Sequence, residues 1–223
     1  MGHPFIVIEG LDGTGKTTLR KGLFRLWEGL YGMTPLCTLT TNFLAPAAAP
    51  DIIAGKYQPT SANRDAYLAA IVADKGATLE RLVLPQLAER PVISDRWLLS
   101  ELAFFQVKHG MKPAETYRLL APSVAHAPHL TFVLDLSPID SLQRAHARSG
   151  DAVRADWDVE DVQSRVREVY TAVLSDAGAF PLLGEVVRLD AARPRAEVLL
   201  SAWDALRERG LLPVIKRGGG EDA

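Results

Sequence analysis

Near the start of the chain, Gly10-Leu-Asp-Gly-Thr-Gly-Lys-Thr-Thr18 carries chemistry in its residue types and spacing. Gly10, Gly15, Lys16 and Thr17 fill every fixed position of G-x-x-x-x-G-K-[ST], directly after the apolar run Phe5-Ile-Val-Ile8. Glycines let the backbone N–H groups turn inward, and the positive end of the following helix adds to them, which makes an anion cradle. Lys16 is placed to reach the β and γ phosphates of a nucleoside triphosphate, and the Thr17 hydroxyl to ligate magnesium. The candidate nucleotide site is therefore Gly10, Leu11, Asp12, Gly13, Thr14, Gly15, Lys16, Thr17 and Thr18. A carboxylate inside an anion cradle is electrostatically awkward, so Asp12 points to a second ligand, such as a sugar hydroxyl or the metal shell.

Two further clusters fit phosphate chemistry. Asp95-Arg96 follows the short apolar run that ends at Ser94, where the carboxyl ends of parallel strands open onto ligand crevices. Arg144, Arg148 and Arg154 flank Ser149-Gly-Asp151, a stretch suited to a basic lid at about 146–158 that closes over a triphosphate. Arg165 and Arg167 read as a solvated helix face. Phosphoryl transfer needs two anions held in line with the charge between them neutralised, and these arginines supply that charge.

The elements that must position these groups alternate along the chain. Short β-branched runs at 5–8, 34–41, 91–94, 130–136 and 186–189 predict five strands, several apolar on consecutive residues, as in a parallel sheet covered on both faces. Helical spacing predicts helices over 16–31, 64–89, 97–109, 138–148, 159–177 and 194–209. The reading is α/β, one domain over 1–212 with a flexible tail at 213–223. The 48% hydrophobic content of 223 residues is enough for one core, and a formal charge of −2 supplies no global field for nucleic acid. The single cysteine, Cys37, and the lack of a signal pattern or membrane-length apolar run suit a cytoplasmic protein without membrane attachment. Trp27, Trp157 and Trp203 read as packing residues, and His126 and His129 as loop residues.

With Phe5-Ile-Val-Ile-Glu-Gly-Leu-Asp-Gly-Thr-Gly-Lys-Thr-Thr18 followed by Val92-Ile-Ser-Asp-Arg-Trp97, the chain resembles the thymidylate kinases. The similarity continues through 98–104, 130–138 and 188–191, and is weakest between Thr38 and Asn63. It implies a P-loop nucleoside monophosphate kinase fold with a five-stranded parallel sheet, Mg-ATP as donor, a neighbouring site for dTMP, and a homodimer. Within it, Arg96 is expected to hold the acceptor phosphate, Asp95 to order the Mg2+ site beside Thr17, and Arg148 and Arg154 to bring lid charge, since Gly13 and Thr14 are neutral. Ser100, Ile71 and Phe104 match acceptor-side positions.

Three positions depart from the family pattern. Lys75 stands where many members carry an arginine that meets the thymine edge, and lysine is a point charge rather than a planar fork. Glu101 stands where they carry serine or asparagine, just after a Trp97 that replaces tyrosine. Facing the C4 carbonyl of thymine, its carboxylate would meet another acceptor. Either Glu101 pairs with Lys75 and leaves the base to other groups, or it accepts from an exocyclic amino group such as that of cytosine or a modified base. The departures at Lys75 and Glu101 make dCMP, dUMP or a modified pyrimidine nucleotide the alternative acceptor. Leu39-Thr-Thr-Asn-Phe43 replaces the family's Arg-Glu-Pro-Gly-Gly. A nucleotide-dependent switch without an acceptor is disfavoured, because it has no use for the Asp95-Arg96 clamp.

Overall fold

The computed structural model describes residues 2–54, 63–149, 157 and 159–214, with the side chains of Arg148 and Ser149 outside that set. Five strands form one all-parallel sheet in the order β2-β3-β1-β4-β5: β1 Phe5–Gly10, β2 Leu36–Leu39, β3 Val92–Asp95, β4 Leu130–Asp135 and β5 Glu185–Asp190. The longer helices are α1 Lys16–Tyr31, α3 Arg64–Thr78, α4 Leu98–His109, α6 Pro138–Ser149, α7 Glu160–Ser175 and α8 Arg195–Glu208, with shorter α2 Ala49–Ile53 and α5 Pro113–Leu120. Every residue of β1 is buried, as its consecutive apolar run requires of a strand covered on both faces.

Alternation along β1 sorts the core into two layers. Phe5 and Val7 face a cluster with Leu68 and Ile71 of α3, Leu99 and Leu102 of α4, and Val166 and Tyr170 of α7; Ile6 and Ile8 face Leu19, Leu23 and Trp27 of α1 and Ala202 and Leu206 of α8. Trp27 and Trp203 pack edge to face at 5.0 Å in the second layer, the packing role expected of them. The same parity places Glu9 on the α4 and α7 side of the sheet, fully buried.

Two features differ from the periodicity. The long helix expected over 64–89 is regular only to Thr78, then opens into a π turn over Leu79–Val83 before a last turn at Leu84–Gln86. Pro85 has no N–H to donate and crowds the preceding turn, and widening the helix relieves both. Helix α5 had no expectation because it buries only Thr116 and Leu120, too few positions to set a period. Among the described residues no helix is long and apolar enough to cross a membrane.

Candidate functional site

The phosphate loop leaves β1 at Gly10 and enters α1 at Lys16. Gly13 and Gly15 take φ of 89° and 98°, values that side chains resist. A Cβ on Gly13 would run into the Ser141 carbonyl of α6, and that close approach lets the Ser141 hydroxyl donate to the Asp12 carbonyl. Gly15 caps α1 with no side-chain bond, and the first turn holds no acidic residue, so the helix N–H groups and the positive end of its dipole face the loop. Lys16 folds back over this cradle and donates to the Leu11 carbonyl at 2.6 Å and the Gly10 carbonyl at 3.1 Å. Burial, with the nearby Arg96 charge, pushes its pKa down to about 7, against the pull of Asp12, Asp95 and Glu9.

Arg96 follows β3 in a left-handed conformation, φ 71°, which costs a non-glycine residue about 1–3 kcal/mol. Its backbone N–H donates to the Ile8 carbonyl and its carbonyl accepts from the Ser94 hydroxyl, which holds the turn. The guanidinium meets Asp12 Oδ1 at 2.5 Å and Ser100 Oγ at 2.9 Å. Burial opposes its charge, but Tyr170, Asp12 and Glu9 outweigh that penalty and hold its pKa above the ordinary arginine value. The same Asp12 Oδ1 is 3.8 Å from Lys16 Nζ. One carboxylate thus lies between two cations brought from different strands. On the other side of the loop, Thr17 Oγ1 is 3.4 Å from Asp95 Oδ2, with Arg20 Nε 3.9 Å from the same oxygen. An open cleft runs between Lys16, Thr17, Asp95 and Arg96 on one wall and Leu39, Thr40, Thr41 and Phe43 on the other.

Helix α3 fastens that second wall with two adjacent charges. Asp74 accepts from the backbone N–H groups of Asn42 and Leu44, on either side of Phe43 at φ 56°. Lys75, 1% exposed, reaches Glu101 Oε1 at 3.0 Å, the Thr40 carbonyl at 3.0 Å and the Thr40 hydroxyl at 3.2 Å, while lying over the Trp97 ring. Thr40 in turn donates to Glu101 Oε1 at 2.9 Å. Beside this network Tyr67, Phe104 and Trp157 form an aromatic group, and the Trp157 indole N–H donates to Asp12 Oδ2 at 3.2 Å.

The thymidylate kinase family model matches residues 52–198. The chain belongs to the thymidylate kinase family. A thymidylate kinase of Shewanella sp. strain MR-4 is 30% identical over 203 residues, covering 87% of this chain and 90% of that protein. A protein of Methanocorpusculum labreanum named as a probable thymidylate kinase is 35% identical over 173 residues, covering 74% and 83%. A thymidylate kinase of Cutibacterium acnes is 29% identical over 218 residues, covering 95% and 99%. Membership makes the chain an enzyme of the nucleoside monophosphate kinase class. The model's match starts beyond the phosphate loop, whose identity rests on its own residues and geometry.

Within this family frame, the site residues expected from sequence fall into three groups. Asp12, Gly13, Gly15, Lys16, Thr17, Asp95 and Arg96 line the cleft, Gly10 and Leu11 hold Lys16 through their carbonyls, and Ser100 holds Arg96, while Leu11 and Thr14 are buried and Thr18 is exposed, none of the three lining the cleft. Lys75 and Glu101 pair with each other, the first of the two arrangements open to them; Ile71 is packed in the core and Phe104 in the aromatic group. Arg154 and most of the lid lie outside the described residues, as does the side chain of Arg148, while Arg144 donates to the Ala191 carbonyl. Trp157 is a packing residue as expected, against Phe104 and the core, but it sits in a turn rather than a helix and also donates to Asp12. The sequence does not mark Glu9, Thr40, Ser141 and Tyr170: each acts through a contact between elements distant in the chain, and no local pattern signals such contacts.

Proposed function

We propose that the protein transfers the γ-phosphoryl group of Mg-ATP to a deoxynucleoside monophosphate, dTMP giving dTDP. The observation that supports this is the pair of cations on Asp12: Lys16 serves the donor phosphates, Arg96 the acceptor phosphate, and they flank one cleft. A hydrolase or switch needs only the first. Positioning and charge neutralisation are most of what phosphoryl transfer asks of a protein. Thr17 and Asp95, two hard oxygen donors facing each other, fit Mg2+ and would hold it; when bound it offsets charge on the donor phosphates. Lid arginines at Arg148 and Arg154 are proposed to complete the charge around the transferring group, and the enzyme to act as a cytoplasmic homodimer.

For the acceptor base, dTMP is supported over dCMP by the similar proteins named as thymidylate kinases, and Glu101 Oε1 is already engaged by Lys75 and Thr40. Selecting a cytosine amino group with that oxygen would mean giving up bonds to a buried lysine. Steady-state turnover with Mg-ATP against dTMP, dUMP, dCMP, dGMP and dAMP tests the reading, with the diphosphate product confirmed. The expected result is the highest kcat/KM for dTMP; ADP release independent of any acceptor would sink it.

Lys16 adds a pH signature. With its free-state pKa at about 7, Lys16 is mostly neutral at pH 8, and bound phosphates raise its pKa and restore the charge. Nucleotide binding at pH 8 is therefore expected to take up protons through this group, and affinity to fall as pH rises from 7 to 9. Calorimetric titration in two buffers of different ionisation enthalpy measures the uptake. Equal heats in both buffers would show that Lys16 is already charged in the free enzyme.

A further inference from the structure

Arg96 has two carboxylates near it, and they differ in kind. Asp12 sits in the cleft, partly exposed, in direct contact with the guanidinium. Glu9 is fully buried one layer below and touches Arg96 only through hydroxyls. Its Oε1 accepts from the Trp97 N–H at 2.8 Å and the Ser100 N–H at 3.2 Å. These are donors at the start of α4, where Trp97 makes no side-chain cap of its own. The carboxylate of β1 thus caps a helix from another part of the chain, and its charge suits the positive end of that helix. Its Oε2 accepts from the Ser100 hydroxyl and from the Tyr170 hydroxyl at 3.2 Å. A carboxylate has about four lone-pair sites, and here all four are taken.

The two hydroxyls also lie 2.9 Å from each other, so Ser100, Tyr170, Glu9 and Arg96 form one connected network. Arg96 has only donors, so Nη1 donates to the Ser100 hydroxyl at 2.9 Å and the Tyr170 hydroxyl at 3.5 Å, while Ser100 gives its proton to Glu9 and Tyr170 has Glu9 at 3.2 Å and Ser100 at 2.9 Å as acceptors. Burial and the Glu9 charge keep the Tyr170 phenol well above its ordinary pKa, which preserves its proton for these acceptors. Two parallel lanes run from the guanidinium through a hydroxyl to one carboxylate, and that carboxylate also holds the backbone on the C-terminal side of the left-handed Arg96. We propose that Glu9 is a positioning residue for the acceptor clamp: with Ser100 and Tyr170 it fixes Arg96 when the incoming phosphate displaces Asp12 from the guanidinium. Asp12 is the exchangeable partner and Glu9 the permanent one. The inference rests on Arg96 binding the acceptor phosphate.

Glu9→Gln tests it with little change in shape. The amide nitrogen replaces one oxygen and donates, so whichever way the amide turns it sets a donor against donors: the Trp97 and Ser100 N–H groups, or the Ser100 and Tyr170 hydroxyls, which then lose the acceptor that leaves their lone pairs to Arg96. The measurement is binding of dTMP and of thymidine, which lacks the phosphate, to wild type and variant, together with the KM values for acceptor and ATP. Wild type is expected to prefer dTMP over thymidine, and Glu9→Gln to lose about tenfold or more of that preference, with thymidine binding and the ATP KM held within about twofold. A general loss of structure would weaken all three together. If wild type binds both ligands equally, the phosphate-clamp reading itself fails; if wild type discriminates and Glu9→Gln keeps the full preference, the role of Glu9 alone is overturned. Should Glu9→Gln lack a cooperative thermal transition, Tyr170→Phe, which removes one lane only, carries the same test with the same two outcomes.

Discussion

Arg96→Ala is expected to lower kcat/KM for the acceptor by about 10²–10⁴-fold, the scale of about 3–5 kcal/mol for truncating one partner of a desolvated, hydrogen-bonded charge pair. The physical reason is that the guanidinium is pre-placed: its backbone is held in a left-handed turn by Ile8 and Ser94, and its side chain by Ser100 and Asp12. The loss should appear chiefly in the acceptor KM, with the ATP KM near wild type. Arg96→Lys keeps the charge but loses the planar fork, so it should fall between, because a flexible point charge does not hold a phosphate oxygen and a hydroxyl in one fixed bidentate geometry. Lys16→Ala provides the contrast. It should abolish donor use while dTMP binding, measured without nucleotide, persists. Wild-type turnover by Arg96→Ala at acceptor concentrations well below KM would remove Arg96 from the site and with it the main support for an acceptor-phosphate clamp.

How much of this was legible beforehand depends on whether the signal is local. The phosphate loop reads from sequence because its glycines and the Lys16-Thr17 pair act within one turn of chain. The parallel sheet reads from runs such as Phe5 to Ile8, since a strand covered on both faces has no polar alternation to conceal it. Pro85 is visible in the sequence, but whether a helix answers it with a kink, a break or a π turn depends on packing against its neighbours. Trp157 shows the limit most clearly. Its flanking residues resemble a helix that buries an aromatic ring, yet its indole N–H reaches Asp12, 145 positions away in the chain. Glu9 illustrates the same limit from inside a motif: its charge is plain, but its four donors come from α4 and α7 and are fixed only once the strand parity and the helix layer are known.

Glu101→Gln is expected to destabilise the protein by about 3–5 kcal/mol, because it removes the formal counter-charge from a lysine that stays buried. For a chain of this size that is a fall in Tm of about 6–20 °C, measurable by scanning calorimetry. Thr40 and the Trp97 ring remain on the ammonium, but a neutral carbonyl and a π face do not replace a carboxylate at 3.0 Å. Replacing both partners, Lys75→Met with Glu101→Leu, should recover most of the loss, since apolar groups of similar volume need no counter-ion. With the single variants Lys75→Met and Glu101→Leu, the thermodynamic cycle would show strong coupling, whereas two independent positions would add. A Glu101→Gln protein within about 1 kcal/mol of wild type would mean that water or an exposed conformer already relieves the lysine. The same double variant settles how the pair bears on the base. If dTMP remains preferred to dCMP by the wild-type ratio, Lys75 and Glu101 brace α3 against α4 and the loop at Thr40, and the base is read elsewhere; if the ratio collapses or reverses, the pair opens in the complex and reads the pyrimidine edge directly.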